Sequence, residues 1–415
     1  MNKLKLFFIS LVLFCGVSQL FGMVYDNRYI FLAQRPFTSI EGRPSHLISD
    51  LFLQTASKAI GSNEKEIPLC ELFGEFDQGK MARSFSVIGK SNPFVTYGRP
   101  EWQDGTFLWI VNGKQQTQGI SFVYYQSITD CLSFGATWLA MRVHTRCEFL
   151  LKENSIPMTG SEKCQLDEIR RKMLQDLGMG CNKNTQSGVG DLDFYLRFGC
   201  AWDYTAKFRH IDCGIRVGAL VPTGRKKENS VPFSVPFGGD GHYGMYGAVD
   251  GEFEVKEDWK VGLLLRLSKR FRRTMERRIS VKDEPYNFGL LIAPIQINPG
   301  ITFVFSPYIL LENLREGLGV RLQYTLLHHD NDRIRDGRLY ECQAQMPSNL
   351  EEMARFSKWS SDYVTVAAFY DFGKMKLDRG FFPIVTISWD IPSLLVVADR
   401  VVKSHRIIFG IEFNF

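Results

Sequence analysis

The chain has 415 residues, of which 45% are hydrophobic and 13% aromatic, and it carries a formal net charge of +5. This length suffices for a large core or for two ordinary soluble domains. So mild a basic excess gives no indication of a nucleic-acid partner.

The N-terminus has the layout of a secretory signal peptide. Lys3 and Lys5 form a basic region, residues 6–15 (LFFISLVLFC) form a short apolar core, and small residues follow. This pattern predicts a signal peptide over residues 1–22, with cleavage after Ser18 as the alternative. Beyond it, no stretch reaches the roughly 18 apolar residues that a membrane-spanning helix needs. We therefore expect an exported chain without a helical span.

Residues 23–103 differ from the rest of the chain. The stretch HLISDLFLQTASKAI has helical spacing, and prolines interrupt the remainder. We expect an N-terminal segment that lies in the periplasm or enters a barrel as a plug. An added pair of strands is the third interpretation of the same residues.

From residue 104 onward, amphipathic runs with a period of two recur. In residues 192–202 (LDFYLRFGCAW) apolar and polar side chains alternate, and similar runs follow to the C-terminus. Such alternation predicts strands with one apolar face. Short connections alternate with long polar ones, which is typical of transmembrane barrels. We count about twelve strands, and an even number is expected when both termini lie in the periplasm.

The chain ends within the last of these runs, where Phe409, Phe413 and Phe415 occupy alternate positions. In a closed barrel the last strand pairs with the first, so a chain is able to end inside a strand. These three aromatic residues are the predicted signal for the barrel-assembly machinery. A secreted β-sandwich is the alternative, but it explains neither the loop asymmetry nor the terminal Phe.

The sequence thus predicts an all-β fold, a transmembrane antiparallel up-and-down β-barrel over residues 104–415, in contact with lipid of the bacterial outer membrane. A helical insert is expected around residues 150–184, in the first long loop. Cys147, Cys164 and Cys181 all fall in that loop, and a disulfide between two of them, Cys164 and Cys181 in the first place, would tie down the helix.

Polar positions of the runs should face the barrel lumen, because the apolar positions face lipid. Acidic and basic residues occur there on neighbouring strands. They either create a transverse field in a water-filled pore or pair with one another and close the lumen. The candidate lumen residues are Asp191, Asp193, Arg197, Asp212, Arg216, Asp250, Glu252, Glu254, Arg266 and Arg321.

Two segments resemble a known family of outer-membrane proteins. GVGDLDFYLRFGCAW (residues 188–202) and IRVGALVPTGRKKEN (residues 215–229) are similar to the "MetA pathway of phenol degradation" group of transporters. That group is related in shape to channels for hydrophobic compounds and fatty acids. The resemblance implies passive uptake of small molecules, apolar ones among them. The matching positions are Gly188, Gly190, Asp191, Pro222, Thr223 and Gly224.

Two loops have functional interpretations beside the simpler one of an exposed polar loop. The basic run RLSKRFRRTMERR (residues 266–278) has the chemistry to bind lipopolysaccharide phosphates. The glycine-rich stretch PFGGDGHYGMYG (residues 236–247) has the flexibility to fold into the lumen as a constriction.

No arrangement of catalytic or metal-binding residues stands out. None of the seven His lies two residues from a Ser on a predicted strand, and HHDND (residues 328–332) is interpreted as a polar loop. We therefore expect no enzyme, cofactor or metal. The functional prediction is a passive channel or transporter for small molecules, and the alternative is a closed structural or surface-interaction barrel without transport.

Overall fold

The computed structural model describes residues 44–415 except positions 63, 73, 153–157, 180–182, 205–206, 283, 375–382, 394–395 and 397. The predicted signal peptide over residues 1–22 lies outside the described residues, as does Cys181 of the predicted disulfide with Cys164.

Twelve antiparallel strands form a closed barrel, which confirms the predicted fold. The described strands are β1 (Ser45–Ile60), β2 (Glu66–Pro68), β3 (Phe76–Asp77), β4 (Leu108–Ser127), β5 (Leu132–Leu151), β6 (Lys183–Val189), β7 (Leu192–Asp203), β8 (His210–Val221), β9 (Gly244–Lys256), β10 (Trp259–Arg270), β11 (Arg273–Ile279), β12 (Leu291–Asn298), β13 (Ile301–Arg315), β14 (Leu318–His329), β15 (Arg333–Asp336), β16 (Trp359–Asp371), β17 (Ile384–Pro392) and β18 (Val401–Asn414). The barrel consists of β1, β4, β5, β7, β8, β9, β10, β13, β14, β16, β17 and β18.

The barrel closes where the first strand meets the last. β1 pairs with β4 along one edge and with β18 along the other. The main chains of Ser45 and Phe415 exchange hydrogen bonds of 2.9 and 3.0 Å, so the final residue completes the ladder. Both ends of the described chain lie at one end of the barrel, the terminal end. We call the opposite end, where the long connections lie, the loop end.

The helical prediction for HLISDLFLQTASKAI is wrong, because these residues belong to β1. The run Leu51, Phe52 and Leu53 is apolar on both faces, which hides the period of two. Phe52 is 1% exposed and faces inward, whereas Leu53 is 62% exposed on the outer face. The barrel therefore begins at Ser45 and not at residue 104, and residues 61–107 form a connection at the loop end.

The outer surface of the barrel carries an apolar band. Side chains that alternate with the inward ones are large, hydrophobic and exposed, as lipid contact requires. Examples from strands around the barrel are Phe122, Trp138, Phe198, Ile215, Val249, Leu322, Ile387, Trp389, Ile407 and Phe409.

Connections at the loop end pack into a hydrophobic cluster, the cap cluster. It joins the β1–β4 connection, through Phe76 and Phe94, to the helix Gly160–Asp176 and to Phe288 of the β10–β13 connection. The helix lies inside the insert expected around residues 150–184, and Thr159 begins it with a capping box. No helix among the described residues is long and apolar enough to cross a membrane.

The remaining described helices are short. They are the α-helices Gln78–Ser84, Pro93–Thr96, Tyr340–Gln345 and Leu350–Arg355, and the 3-10 turns Leu69–Glu71, Phe85–Ile88, Pro100–Trp102, Tyr286–Phe288 and Phe372–Lys374.

We predict that a disulfide links Cys70 to Cys147. Cys70 lies in the β1–β4 connection, Cys147 lies on β5, both are buried, and their Sγ atoms are 2.6 Å apart. The sequence predicts an exported chain, and an oxidising compartment permits disulfides. Non-reducing peptide mass spectrometry should find the two cysteines joined. Cys70→Ser should lower the free energy of unfolding by about 2–4 kcal/mol.

The control for this prediction is Cys342→Ser, because Cys342 is exposed. Its stability should equal that of the wild type. Full alkylation of Cys70 and Cys147 in denatured, unreduced protein would contradict the prediction.

Candidate functional site

An ion network fills the lumen between β7, β8 and β9. Asp250 accepts hydrogen bonds from Arg197 (2.9 Å) and Arg216 (2.6 Å), and Arg197 also donates to Asp212 (2.6 Å). The guanidinium of Arg197 lies over Gly199 and Gly214, where any Cβ would come within 2.8 Å of it. The glycines of the inward face thus make room for this cation.

A second network continues from the first across β10. Asp193 accepts hydrogen bonds from Tyr246 (2.7 Å) and Arg266 (3.0 Å). The guanidinium of Arg266 also lies 3.5 Å from the centre of the Tyr246 ring, a cation–π contact. Across the lumen, Arg406 donates to Asp390 at 2.6 Å.

These contacts leave little space for water at this level of the lumen. Asp250 and Arg406 are each 1% exposed, and Tyr195 is 6% exposed. In a water-filled pore such inward side chains would be accessible. The arrangement matches the interpretation in which the lumen charges pair with one another.

The structure brings most of the candidate lumen residues together. Asp193, Arg197, Asp212, Arg216, Asp250, Glu252 and Arg266 are all buried on the inward face. Two others lie apart from these networks. The Glu254 side chain is 21% exposed and 3.8 Å from Arg209 at the terminal end, and Arg321 is half-buried on β14.

On the loop-end side of the networks, the β8–β9 connection folds into the lumen. We call residues 222–243 the lumen loop. Phe237 of this loop is 1% exposed and packs in one cluster with Phe52, Met141 and Ile408, which are inward residues of β1, β5 and β18. Ile408 breaks the alternation of the last strand, and this contact explains why.

Asp191 holds the lumen loop in place. Its carboxylate accepts hydrogen bonds from the backbone N–H groups of Gly224 and Gly239 and forms a 2.7 Å ion pair with Arg270. Gly238 has a φ of +139°, and a Cβ there would lie 2.4 Å from the Asp191 carboxylate. The loop therefore needs glycine at the point where it crosses this side chain.

The basic run 266–278 serves mainly internal contacts. Arg277 forms an ion pair with Asp240 of the lumen loop, and Arg278 donates hydrogen bonds to main-chain carbonyls. Burial of the Lys227 side chain, and to a lesser extent the positive charge of Arg277, lower the pKa of Lys227 to about 8. This run thus anchors the lumen loop and offers few free cations at the surface.

The barrel wall is irregular beside Asp191. β5 pairs with β7 as far as Thr137 and with β6 from Ala140 onward, and between these points the β6–β7 side has one more residue than β5. This is a β-bulge. Gly190 occupies it, and a Cβ there would come within 2.7 Å of Leu139.

A crevice of about 440 Å³, including its part open to the surroundings, lies at this bulge. We call it the wall crevice. Its lining includes Trp138 on the lipid side and Asp193 on the lumen side of the wall. The other lining residues are Thr137, Leu139, Met141, Asp191, Leu220, Phe237, Gly238 and Arg270.

No protein-family model matches the sequence, and neither does any curated protein. Among solved structures, an outer-membrane channel from Pseudomonas putida F1 is similar, with a TM-score of 0.51, 9% identity, and coverage of 92% of this chain and 100% of that chain. A Pseudomonas aeruginosa FadL homologue (TM-score 0.34, 10% identity, 90% of each chain) also aligns. So does the Pseudomonas putida toluene transporter TodX (TM-score 0.33, 11% identity, 95% of each chain).

The first of these alignments extends over the whole of the other chain and nearly all of this one. The chain has the fold of an outer-membrane channel. The predicted resemblance to such channels is confirmed at the level of the fold, and the closed barrel with its apolar band belongs in the bacterial outer membrane.

The alternation pattern does not reveal the apolar part of the barrel interior. Leu139, Met141 and Phe52 face inward, although hydrophobic side chains were expected to face lipid. The available signal was a run of consecutive apolar residues, Trp138 to Met141, which places hydrophobic side chains on both faces of β5. Among the described residues, no group of His, Cys, Asp and Glu is arranged to hold a metal.

Removing the charge of Asp250 should destabilise the barrel. In Asp250→Asn, Arg197 and Arg216 lose a buried ionic partner, and breaking such a pair typically costs about 3–5 kcal/mol. The free energy of unfolding is measured in lipid vesicles by recording tryptophan fluorescence as the urea concentration is raised.

Glu257→Gln is the control for the Asp250 prediction. Glu257 forms an ion pair with Arg209 at the exposed terminal end, and its loss should leave stability unchanged. Equal stabilities of Asp250→Asn and the wild type would show that the network contributes nothing.

Proposed function

We propose that the protein is a passive outer-membrane channel for small hydrophobic molecules, which leave the barrel through the wall crevice. The observation that carries this proposal is the contrast between two parts of the lumen. The central part is filled by paired charges, whereas the part beside the bulge is lined mainly by apolar side chains and reaches the lipid-facing Trp138.

The physical chemistry of the two routes differs. A solute moving straight along the barrel axis would have to separate buried ion pairs such as Arg216–Asp250, and breaking such pairs is costly. A hydrophobic solute beside Leu139 and Met141 meets no such cost, because these side chains favour apolar contact. The geometry therefore favours solutes that leave sideways into the membrane.

The lumen loop has the position of a gate on this route. Phe237 and Gly238 line the wall crevice, and the Asp191 carboxylate holds the loop backbone on either side of them. Displacement of the loop would enlarge the crevice on its lumen side. We assign Asp191 as the residue that keeps the loop closed.

A closed structural barrel without transport is the second candidate. The burial of inward side chains throughout the central lumen favours it. The two candidates differ in one measurable property, the movement of an apolar solute across the outer membrane.

Blocking the wall crevice should abolish uptake. Thr137→Trp adds an aromatic side chain inside the crevice. We expect the rate at which cells producing this variant take up radiolabelled naphthalene to fall to the rate of cells that lack the protein. Cells producing the wild-type protein should take up naphthalene faster than cells that lack it.

The matched control is Ala136→Trp, one residue along β5, where the side chain faces lipid. It should retain wild-type uptake. Both variants must show the heat-dependent gel shift of a folded barrel. If folded wild-type protein gives no uptake above background, the transport proposal fails and the closed barrel is favoured. If both tryptophan variants transport normally, the route through the crevice is wrong.

A further inference from the structure

Three cations stand side by side on the outer surface of the barrel at the loop end. Lys114 of β4 pairs across the strands with Arg146 of β5, and Arg146 pairs with Lys183 of β6. All three side chains are exposed. Directly opposed residues of neighbouring strands have Cβ atoms about 4.5–5.5 Å apart, so these positive charges form one row.

Like charges directly opposite one another destabilise a sheet. In the described part of the chain, none of these three cations forms an ion pair, in contrast to the nearby Lys58, which is paired with Glu66. One acidic side chain, Glu148, shares the face; it lies two residues beyond Arg146 and opposite Asn112. A single carboxylate on the side away from the membrane does not neutralise the row.

Below the row, the same face remains polar before it becomes apolar. The next outward pair is Gln116 and His144, and the one after it is Gln118 and Arg142. His144 is hydrogen-bonded to Thr185 at 2.8 Å. This set adds a fourth exposed cation, Arg142, and several groups that donate hydrogen bonds.

The apolar band begins at the following pair, Ile120 and Ala140, and continues with Phe122 and Trp138. At about 3.3 Å per residue along a strand, Arg142 lies roughly 7 Å above the start of the band, and the row lies roughly 20 Å above it along the strand. After allowance for a strand tilt of about 40°, Arg142 lies at the height of the lipid head groups. The row lies roughly 15 Å above the hydrocarbon region, a height that only a lipid with a large head group reaches.

We propose that Lys114, Arg142, Arg146 and Lys183, the basic face, bind the phosphate groups of a phosphorylated glycolipid in the outer leaflet. Lysine and arginine form charge-assisted hydrogen bonds with phosphate oxygens, and a head group with several phosphates fits a face with cations at two heights. The acyl chains of the same lipid would pack on Phe122 and Trp138. The basic face differs from the basic run 266–278, whose arginines are used internally.

The proposal is tested with the purified full-length mature protein in detergent and bisphosphorylated lipopolysaccharide as the probe. The variant Lys114→Gln/Arg146→Gln/Lys183→Gln should bind it roughly a hundredfold more weakly, since each cation near an anionic lipid surface contributes about fivefold. Binding is measured by native mass spectrometry and by the shift in unfolding temperature.

The matched control is Lys65→Gln/Arg272→Gln/Lys282→Gln, which removes the same charge from exposed cations elsewhere at the loop end. It should bind as the wild type does. Equal affinities of the two triple variants would overturn the proposal, as would equal binding of dephosphorylated lipopolysaccharide. An equal thermal shift with inorganic phosphate alone would make the face a general anion site and overturn the assignment to a lipid. Unchanged heat-dependent gel shifts show that both variants fold.

Discussion

Closure of the backbone hydrogen-bond ladder is the constraint on which the rest of this structure depends. A strand in lipid finds no water for its N–H and C=O groups, so every barrel edge must be paired. β1 satisfies this requirement for both ends of the sheet, and the exchange between Ser45 and Phe415 extends the pairing to the last residue. The same closure forces alternate side chains into an interior that twelve strands leave narrow.

How that interior is filled follows from the electrostatics of burial. Charges removed from water must be paired, and the inward positions of β7, β8 and β9 place arginine and aspartate next to one another. Glycines beside Arg197 provide the space for a flat guanidinium. The result is a rigid centre, with the apolar contacts of the lumen displaced toward the bulge and the lumen loop.

Much of this architecture is readable from the sequence, because lipid on one side enforces the period of two. Eleven of the twelve barrel strands and the inward position of residues such as Asp250 follow from that period. The period of two does not reveal β1, because Phe52 packs inside the barrel and makes the run apolar on both faces. Partners such as Arg216 and Asp250 depend on strand register, and the wall crevice depends on a single extra residue at the bulge, which no local pattern encodes.

Asp191 connects the bulge, the lumen loop and the ion networks of the barrel. It lies next to Gly190 at the bulge, and its carboxylate accepts hydrogen bonds from the lumen loop. Arg270 anchors the same carboxylate to the end of β10, beside the rigid networks. On the proposed route, therefore, the charges in the centre stay in place while the loop moves. Under this proposal the barrel excludes ions and admits apolar solutes, because the wall crevice beside its movable loop is lined mainly by hydrophobic groups.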